Sequence, residues 1–214
     1  MNKSDLVVKA LNTSFDYEEY KAFAEKELNS FDASKTDQIF VERNEARKIN
    51  LVRMSRIEKQ FQPNEESIEL LKNIDQNLLW IVISESWCGD SAQSLPVISR
   101  LAFLNPLINL KIIPRDKNLD YMDIYLTDGK RSIPKLIVYN DDLIEIASWG
   151  PRPKTAQQLI EDTLENNLPK SERLKKLHLW YAKNKGAEIE SEIVQIIKEI
   201  TPKIKIESLA SSKL

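Results

Sequence analysis

The sequence predicts an α/β fold in which a mixed four-stranded sheet is flanked by helices, with a further helical extension at each end of the chain. A continuous apolar run, residues 78–83, is typical of a strand that is covered on both faces, and residues 107–114 form a second, largely apolar segment that predicts another strand. Two shorter runs, 133–139 and 143–149, are separated by the turn-forming residues 140–142, which predicts an antiparallel hairpin. Apolar residues at helical spacing before, between and after these runs predict the helices.

The helices that precede the sheet are predicted from apolar residues spaced three or four apart. One such pattern lies between residues 15 and 28. A second, 37–61, contains no glycine or proline, and Asp37 is its expected N-cap. A short amphipathic helix at 65–74 follows a proline. We therefore expect residues 1–63 to form an N-terminal helical extension.

The same spacing predicts the remaining helices. They cover residues 91–104, 120–126, 155–167, 171–184 and 187–200. Because the first of these helices joins the first two strands, those strands should run parallel. The α/β domain is thus expected at residues 64–168 and a C-terminal helical extension at 169–214.

The composition excludes several classes of function. The chain has 214 residues with 31 basic and 33 acidic side chains, so its net charge of −2 gives no field that favours nucleic acid or an anionic membrane. No apolar run approaches the ~18 residues that span a bilayer, and no signal-peptide core develops. A single cysteine permits no intrachain disulfide. We expect a cytoplasmic protein with no nucleic-acid or membrane partner.

A cysteine motif follows the first predicted strand directly. The residues Trp87-Cys88-Gly89-Asp90-Ser91 stand at the start of the next helix, and Pro96 comes eight positions after Cys88. An Ile133-Pro134 pair opens the third strand. These three features, in this order, resemble the thioredoxin family, whose pattern is Trp-Cys-Gly-x-Cys, a helix proline and an Ile-Pro pair with a cis bond. The resemblance covers about residues 64–168 and implies a thioredoxin-like fold.

The resemblance also assigns roles to individual residues. It implies that Cys88 is the catalytic thiol, that Trp87, Gly89, Asp90 and Ser91 support it, and that Ile133 and Pro134 dock the substrate backbone. A cysteine at a helix start faces unpaired backbone N–H groups, which should lower its pKa and favour the nucleophilic thiolate. The first hypothesis is therefore a monothiol redox protein in which Cys88 forms mixed disulfides with a thiol-containing protein or a small thiol.

The chain departs from the family pattern at two positions. Ser91 stands where the resolving cysteine is expected, and Val82 stands where thioredoxins bury a carboxylate six residues before the first cysteine. Because a hydroxyl cannot release a mixed disulfide, the usual dithiol reduction is closed to this chain alone. A second hypothesis is therefore a non-catalytic binding module that uses the groove beside Pro134. Its additional helices would supply a partner surface.

No cofactor and no metal are expected. The segment Cys88-Gly89-Asp90-Ser91 resembles the Cys-Gly-Phe-Ser of monothiol glutaredoxins, which carry iron–sulfur clusters. One cysteine per chain would require a cluster shared with a second thiol, and Trp87 and the long flanks are unlike glutaredoxin. One cysteine and one histidine cannot close a tetrahedral zinc site.

Several polar residues have a plain interpretation and a functional one. We expect Asp90 to interact with the helix dipole rather than to raise the pKa of Cys88. His178 is expected to be a packed or surface residue, because it is far from the motif in sequence. Arg152 either helps to start the helix that follows it or binds an anion. A long helix that is also rich in acids carries Lys48, Arg53, Arg56 and Lys59, so we expect these four to form a solvated face.

Overall fold

A computed structural model describes residues 2–32 and 37–211 of the chain, with side chains as far as residue 200. Within these residues the strands are β1 (Leu78–Ser84), β2 (Ile108–Pro114), β3 (Lys135–Tyr139) and β4 (Glu145–Trp149). The helices are α1 (Lys3–Leu11), α2 (Tyr17–Asn29), α3 (Gln38–Gln60), α4 (Glu65–Lys72), α5 (Gly89–Ala102), α6 (Leu119–Met122), α7 (Lys154–Glu165), α8 (Lys170–Asn184) and α9 (Ala187–Ser211).

The strands form one mixed sheet in the order β2-β1-β3-β4. β1 and β2 are parallel, with Trp80 opposite Leu110, because α5 connects them as a crossover. β3 runs antiparallel to β1, with Trp80 opposite Val138, and β4 runs antiparallel to β3. The predicted fold class, a mixed four-stranded sheet flanked by helices, is confirmed.

Both faces of the sheet are covered, and alternate residues of β1 point to opposite sides. Trp80 and Val82 are fully buried in a large cluster to which α3, α4, α5, α8 and α9 contribute. Ile81 and Ile83 are fully buried in a smaller cluster on the other face, which contains residues of α1 and α6 and also Cys88. Burial on both sides is the reason that β1 is apolar at consecutive positions.

The helical extensions belong to the same core as the sheet. Phe15 exchanges two backbone hydrogen bonds with Ile112 of β2, at 2.9 and 2.8 Å, and so covers part of that edge strand. At the other end of the chain, the indole Nε1 of Trp149 in β4 donates to Glu192 of α9 over 2.6 Å. Neither extension is therefore an independent appendage.

Some helix boundaries differ from those the sequence predicts. α1 is an additional helix that begins with a reciprocal capping box between Asn2 and Asp5. Asp37 precedes α3 as expected, but its side chain makes no capping hydrogen bond. α9 continues to Ser211 instead of ending at residue 200. No helix among the described residues is long and apolar enough to cross a membrane.

Candidate functional site

The motif lies in the turn between β1 and α5. Cys88 is the N-cap residue of α5, with extended backbone angles, and its carbonyl accepts the first helical hydrogen bond from Ala92 over 3.1 Å. Its own N–H donates to the Glu85 carbonyl over 2.9 Å. This position places the sulfur beside the free N–H groups of the first helical turn.

The segment that the sequence predicts as a docking element lies directly beside this sulfur. The Ile133–Pro134 peptide bond is cis. The Cys88 thiol donates to the carbonyl of Ile133, with an Sγ–O distance of 3.4 Å. Both Ile133 and Pro134 are buried. The structure therefore brings together the cysteine and the docking pair, and in this arrangement the Ile133 carbonyl is already occupied by the thiol.

A glycine permits the approach of a further loop to Pro134. Gly150 follows β4 with φ of +110°, and a Cβ at this position would lie 2.3 Å from the Pro134 carbonyl oxygen. A side chain is therefore excluded both by backbone conformation and by space. This close contact holds the loop of residues 150–153 against Pro134, and Arg152 of this loop pairs with Asp90 of the motif.

The expected low pKa of Cys88 is wrong. Only 9% of the residue is exposed, and burial among apolar side chains raises the pKa of the thiol to about 11, with a further contribution from the charge of Asp90. The Ser91 hydroxyl and the N–H groups of Asp90 and Ser91 act in the opposite direction, but their effect is smaller than that of burial. The sequence correctly places Cys88 at a helix N-terminus, but no local pattern reveals that the sulfur is buried.

Ser91, at the position where the family resemblance predicts a resolving cysteine, is almost fully buried. Its hydroxyl has no hydrogen-bond partner within the described residues other than the Cys88 sulfur, whose pKa it lowers. This position in the first turn of α5 is compatible with the supporting role that the resemblance implies.

The expectation that Asp90 would interact with the helix dipole rather than raise the pKa of Cys88 is wrong, because its charge contributes to that increase. Asp90 is 7% exposed, forms an ion pair with Arg152 at 2.8 Å, and accepts a hydrogen bond from the Tyr181 hydroxyl over 2.9 Å. Burial raises its pKa, and the guanidinium of Arg152 opposes that shift. The sequence left a helix-start role and anion binding open for Arg152. Its guanidinium pairs with the carboxylate of Asp90 and so connects the loop after β4 to the motif.

His178 lies at the motif, contrary to the expectation from its sequence position. A Cβ added to Gly89 would be 2.8 Å from Cε1 of His178, so only glycine leaves room for this ring. Burial and, to a smaller extent, the charges of Arg53, Arg56 and Arg152 together lower the pKa of His178 to about 4. The ring is therefore neutral at physiological pH and closes one side of the motif as part of α8.

A row of polar residues on α3 faces the motif along its length. We call this row the α3 polar stripe. Its members are spaced by three or four positions and are Arg43, Arg47, Asn50, Arg53 and Arg56. The interpretation of Arg53 and Arg56 as a solvated face is wrong, because both are partly buried against residues of the motif helix. The helical spacing of these residues was the sequence signal that could have revealed the stripe.

The first part of the stripe holds the residues before Cys88. The Arg47 Nε donates to the Ser86 hydroxyl over 2.9 Å, and the Asn50 amide donates to the Ser86 carbonyl over 3.0 Å. The Arg43 guanidinium lies 4.4 Å from the centre of the Trp87 ring. These contacts fix the entry of the chain into the motif.

The second part of the stripe reaches the residues after Cys88. One Arg53 amine, Nη1, would lie 3.4 Å from a Cβ at Gly89, and Arg56 Nη2 donates to Oε1 of Gln93 over 3.0 Å. Arg53 Nη1 also donates to Oδ1 of Asn50 over 2.8 Å. The stripe thus contacts the motif on both sides of the cysteine.

An open recess lies beside Trp87, between this residue and helices α2 and α3. Its volume is about 530 Å³. Aromatic and charged side chains line it, among them Phe23, Phe40, Arg43, Glu85 and Trp87. This recess is an accessible depression next to the motif, whereas Ile133 and Pro134 are buried.

The described residues contain no group of three or more His, Cys, Asp or Glu side chains that could hold a metal ion. The chemistry available at the motif is therefore that of one buried thiol, one buried carboxylate, a neutral imidazole and several guanidinium groups.

Comparison with known proteins agrees with this architecture. Residues 35–167, more than half of the chain, match a family model described as thioredoxin. A crystal structure of a protein of unknown function from Pseudomonas aeruginosa is similar over 91% of this chain and 98% of its own, with 16% identity and a TM-score of 0.59. An HIV epitope-scaffold is similar over 90% of this chain and 97% of its own, with 16% identity and a TM-score of 0.58. At these identities the likeness shows the fold alone. No curated protein matches the chain significantly.

Proposed function

Because this chain belongs to the thioredoxin family, we propose that it is a thioredoxin-fold protein-binding module whose thiol is withheld from solvent. The observation that carries the proposal is the burial of Cys88 in the apolar cluster beside Ile133. With its pKa raised to about 11, about one Cys88 thiol in ten thousand is ionised at pH 7. A thiol in this state is a poor nucleophile.

The binding surface of the proposed module is the recess beside Trp87. It is open, adjoins the motif and is formed largely by α2 and α3, which lie outside the sheet. Its lining combines aromatic rings with charges of both signs, a composition that is typical of surfaces that bind protein segments. The docking pair Ile133 and Pro134 is buried, so a partner would reach it only after the thiol has moved away from the Ile133 carbonyl.

The rate of alkylation of Cys88 tests the first part of this proposal. In the folded protein, iodoacetamide should react at pH 7.5 about a hundredfold more slowly than in the urea-unfolded chain, because both access and ionisation are reduced. In the folded protein, the alkylation rate should increase only at pH values well above 8.5. A folded-state rate equal to that of the unfolded chain, or a midpoint below pH 8.5, would refute the withheld thiol.

Partner capture tests the second part. Proteins cross-linked in cells to the wild type and to Cys88→Ala should be the same, because binding does not require the sulfur. A variant that places a charge in the recess, Phe40→Glu, should lose those partners while it keeps the wild-type unfolding midpoint. Loss of the partners in Cys88→Ala but not in Phe40→Glu would contradict the binding module.

A monothiol redox function is the second candidate, and one observation favours it. The Ser91 hydroxyl and two backbone N–H groups converge on the sulfur, next to a cis proline. The Cys88 thiolate would attack a disulfide R–S–S–R′, form Cys88–S–S–R and release R′–S⁻. An external thiolate R″–S⁻ would then attack the R sulfur, form R–S–S–R″ and release the Cys88 thiolate. Incubation with oxidised glutathione separates the two candidates: a mixed disulfide on Cys88 that forms within minutes in the folded protein supports the redox function, and its absence supports the binding module.

A further inference from the structure

The two parts of the α3 polar stripe differ in how their charges are compensated. Arg43 forms an ion pair with Asp116 at 3.2 Å, and Arg47 forms one with Glu27 at 3.0 Å. Arg53 and Arg56 form no ion pair with any acid in the described ranges. The carboxylate that acts on Arg53 is that of Asp90, which is already bound to Arg152. The end of the motif near Asp90 therefore holds three guanidinium groups and one carboxylate.

The same region contains hydrogen-bond donors without acceptors. In the described part of the chain, the buried atoms Arg56 Nε, Arg152 Nε and Gln93 Nε2 have no hydrogen-bond partner. The Gln93 side chain is 1% exposed, and its Oε1 is used by Arg56, which leaves only its amide donors free. All of these free groups are N–H donors, and what the site lacks is an acceptor.

The cluster is open to a ligand from solvent. Gly89, Arg53, Arg56, Arg152 and His178 are each only partly buried. They surround the N-terminal turn of α5, a helix of 14 residues whose free N–H groups also favour an anion. Arginine presents its donors as a planar fork that matches the oxygens of phosphate.

We propose that Arg53, Arg56, Arg152 and Gln93 form a binding site for a phosphate group. The local excess of two positive charges corresponds to the charge of a phosphate dianion. The partly exposed guanidinium groups supply its hydrogen bonds, and the buried donors of Arg56, Arg152 and Gln93 reach the anion once these side chains turn towards it. The neutral ring of His178 borders the site without competing for the anion. The ligand is inorganic phosphate or a small phosphate monoester. The site is independent of the Cys88 sulfur and goes beyond the proposed binding of a protein partner.

Calorimetric titration of the full chain tests this site. Inorganic phosphate and phenyl phosphate should each be compared with sodium acetate in chloride buffer of the same ionic strength. We expect saturable binding of at least one phosphate compound and none of acetate. Tighter binding of phenyl phosphate would identify a monoester as the ligand, and equal or tighter binding of inorganic phosphate would identify the free anion.

Two variants and two controls make the test specific. Arg53→Gln and Arg56→Gln should each weaken phosphate binding by about tenfold or more, since each removes a charge-assisted contact. Arg43→Gln lies on the same helix but has its own acid, and Cys88→Ala removes only the sulfur, so both should bind as the wild type does. Circular dichroism verifies that each variant is folded. The proposal is overturned if phosphate does not bind, if acetate binds equally well, or if both glutamine variants keep the wild-type affinity.

Discussion

The two ends of the motif are lined by the same helix and yet differ in electrostatic character. At the Trp87 end, Arg43 and Arg47 are matched by Asp116 and Glu27, and the hydroxyl and carbonyl of Ser86 accept hydrogen bonds from α3. At the Asp90 end, Asp90 pairs with Arg152, Arg53 and Arg56 have no ion pair within the described residues, and several buried donors lack acceptors.

This difference indicates a division of roles along one helix. The compensated charges at the Trp87 end hold the loop that leads into Cys88. The uncompensated charges at the Asp90 end destabilise the folded chain through mutual repulsion but leave donors available to an anion. Removal of an arginine should therefore destabilise the protein at the Trp87 end, whereas at Arg53, near the Asp90 end, it should have little effect or a stabilising one.

The largest effect is expected from removal of Asp90. Asp90→Ala leaves Arg152 and Tyr181 without their buried partner, so the free energy of unfolding should fall by about 3–5 kcal/mol. Urea unfolding measures the change. Asp123→Ala is the matched control, because its ion pair with Arg131 is exposed and its loss should destabilise the protein much less than the loss of Asp90. Equal losses in the two variants would contradict a structural role for Asp90.

A smaller effect separates the two ends directly. Arg47→Met removes hydrogen bonds to Ser86 and Asn44 and the ion pair with Glu27, and should destabilise the protein by about 2 kcal/mol. Arg53→Met removes a guanidinium that has no acidic partner and is repelled by Arg56, so its effect should lie within about 0.5 kcal/mol of zero or be stabilising. Unfolding midpoints in urea check both. If Arg53→Met is as destabilising as Arg47→Met, the contrast between the two ends is wrong.

The sheet and the motif could be predicted from sequence because local patterns determine them. A strand that is covered on both faces is apolar at consecutive positions, as in β1. The position of Cys88 follows from the end of that strand and the start of α5. The pairing of Ile133 with Cys88 came from the family resemblance, which placed both in one active site.

The rest of the site could not be predicted because it depends on contacts between distant segments. His178 and Arg152 reach the motif from α8 and from the loop after β4, and no local pattern encodes those approaches. The predicted low pKa of Cys88 was wrong for a related reason. The helix N-terminus that lowers the pKa is a local feature, but the burial that outweighs it comes from packing of the sheet and its loops. The α3 polar stripe was visible as a helical spacing, but its direction towards the motif was not.

The smallest effect concerns pH. His178 is the only histidine in the chain, and its pKa is lowered from 6.5 to about 4 by burial and by the three arginines. In the folded state the neutral ring is favoured. Between pH 6.5 and about 4 the unfolded chain binds a proton at His178 and the folded chain does not. The contribution of His178 to stability is therefore complete above pH 6.5 and is lost as the pH falls from 6.5 towards 4.

The comparison of wild type with His178→Gln isolates this contribution. The stability difference between the two proteins should change by about 1–2 kcal/mol between pH 7.5 and 4.5, in favour of the variant at low pH, once solvent screening of a partly exposed ring is included. NMR titration of the single histidine gives its pKa directly. In Arg53→Gln/Arg56→Gln that pKa should rise, because two of the charges that oppose protonation are gone. A histidine that titrates near 6.5 in the wild type would contradict both the burial of the ring and the uncompensated guanidinium groups beside it. A pKa that stays unchanged in Arg53→Gln/Arg56→Gln would remove the contrast between the two ends of the motif.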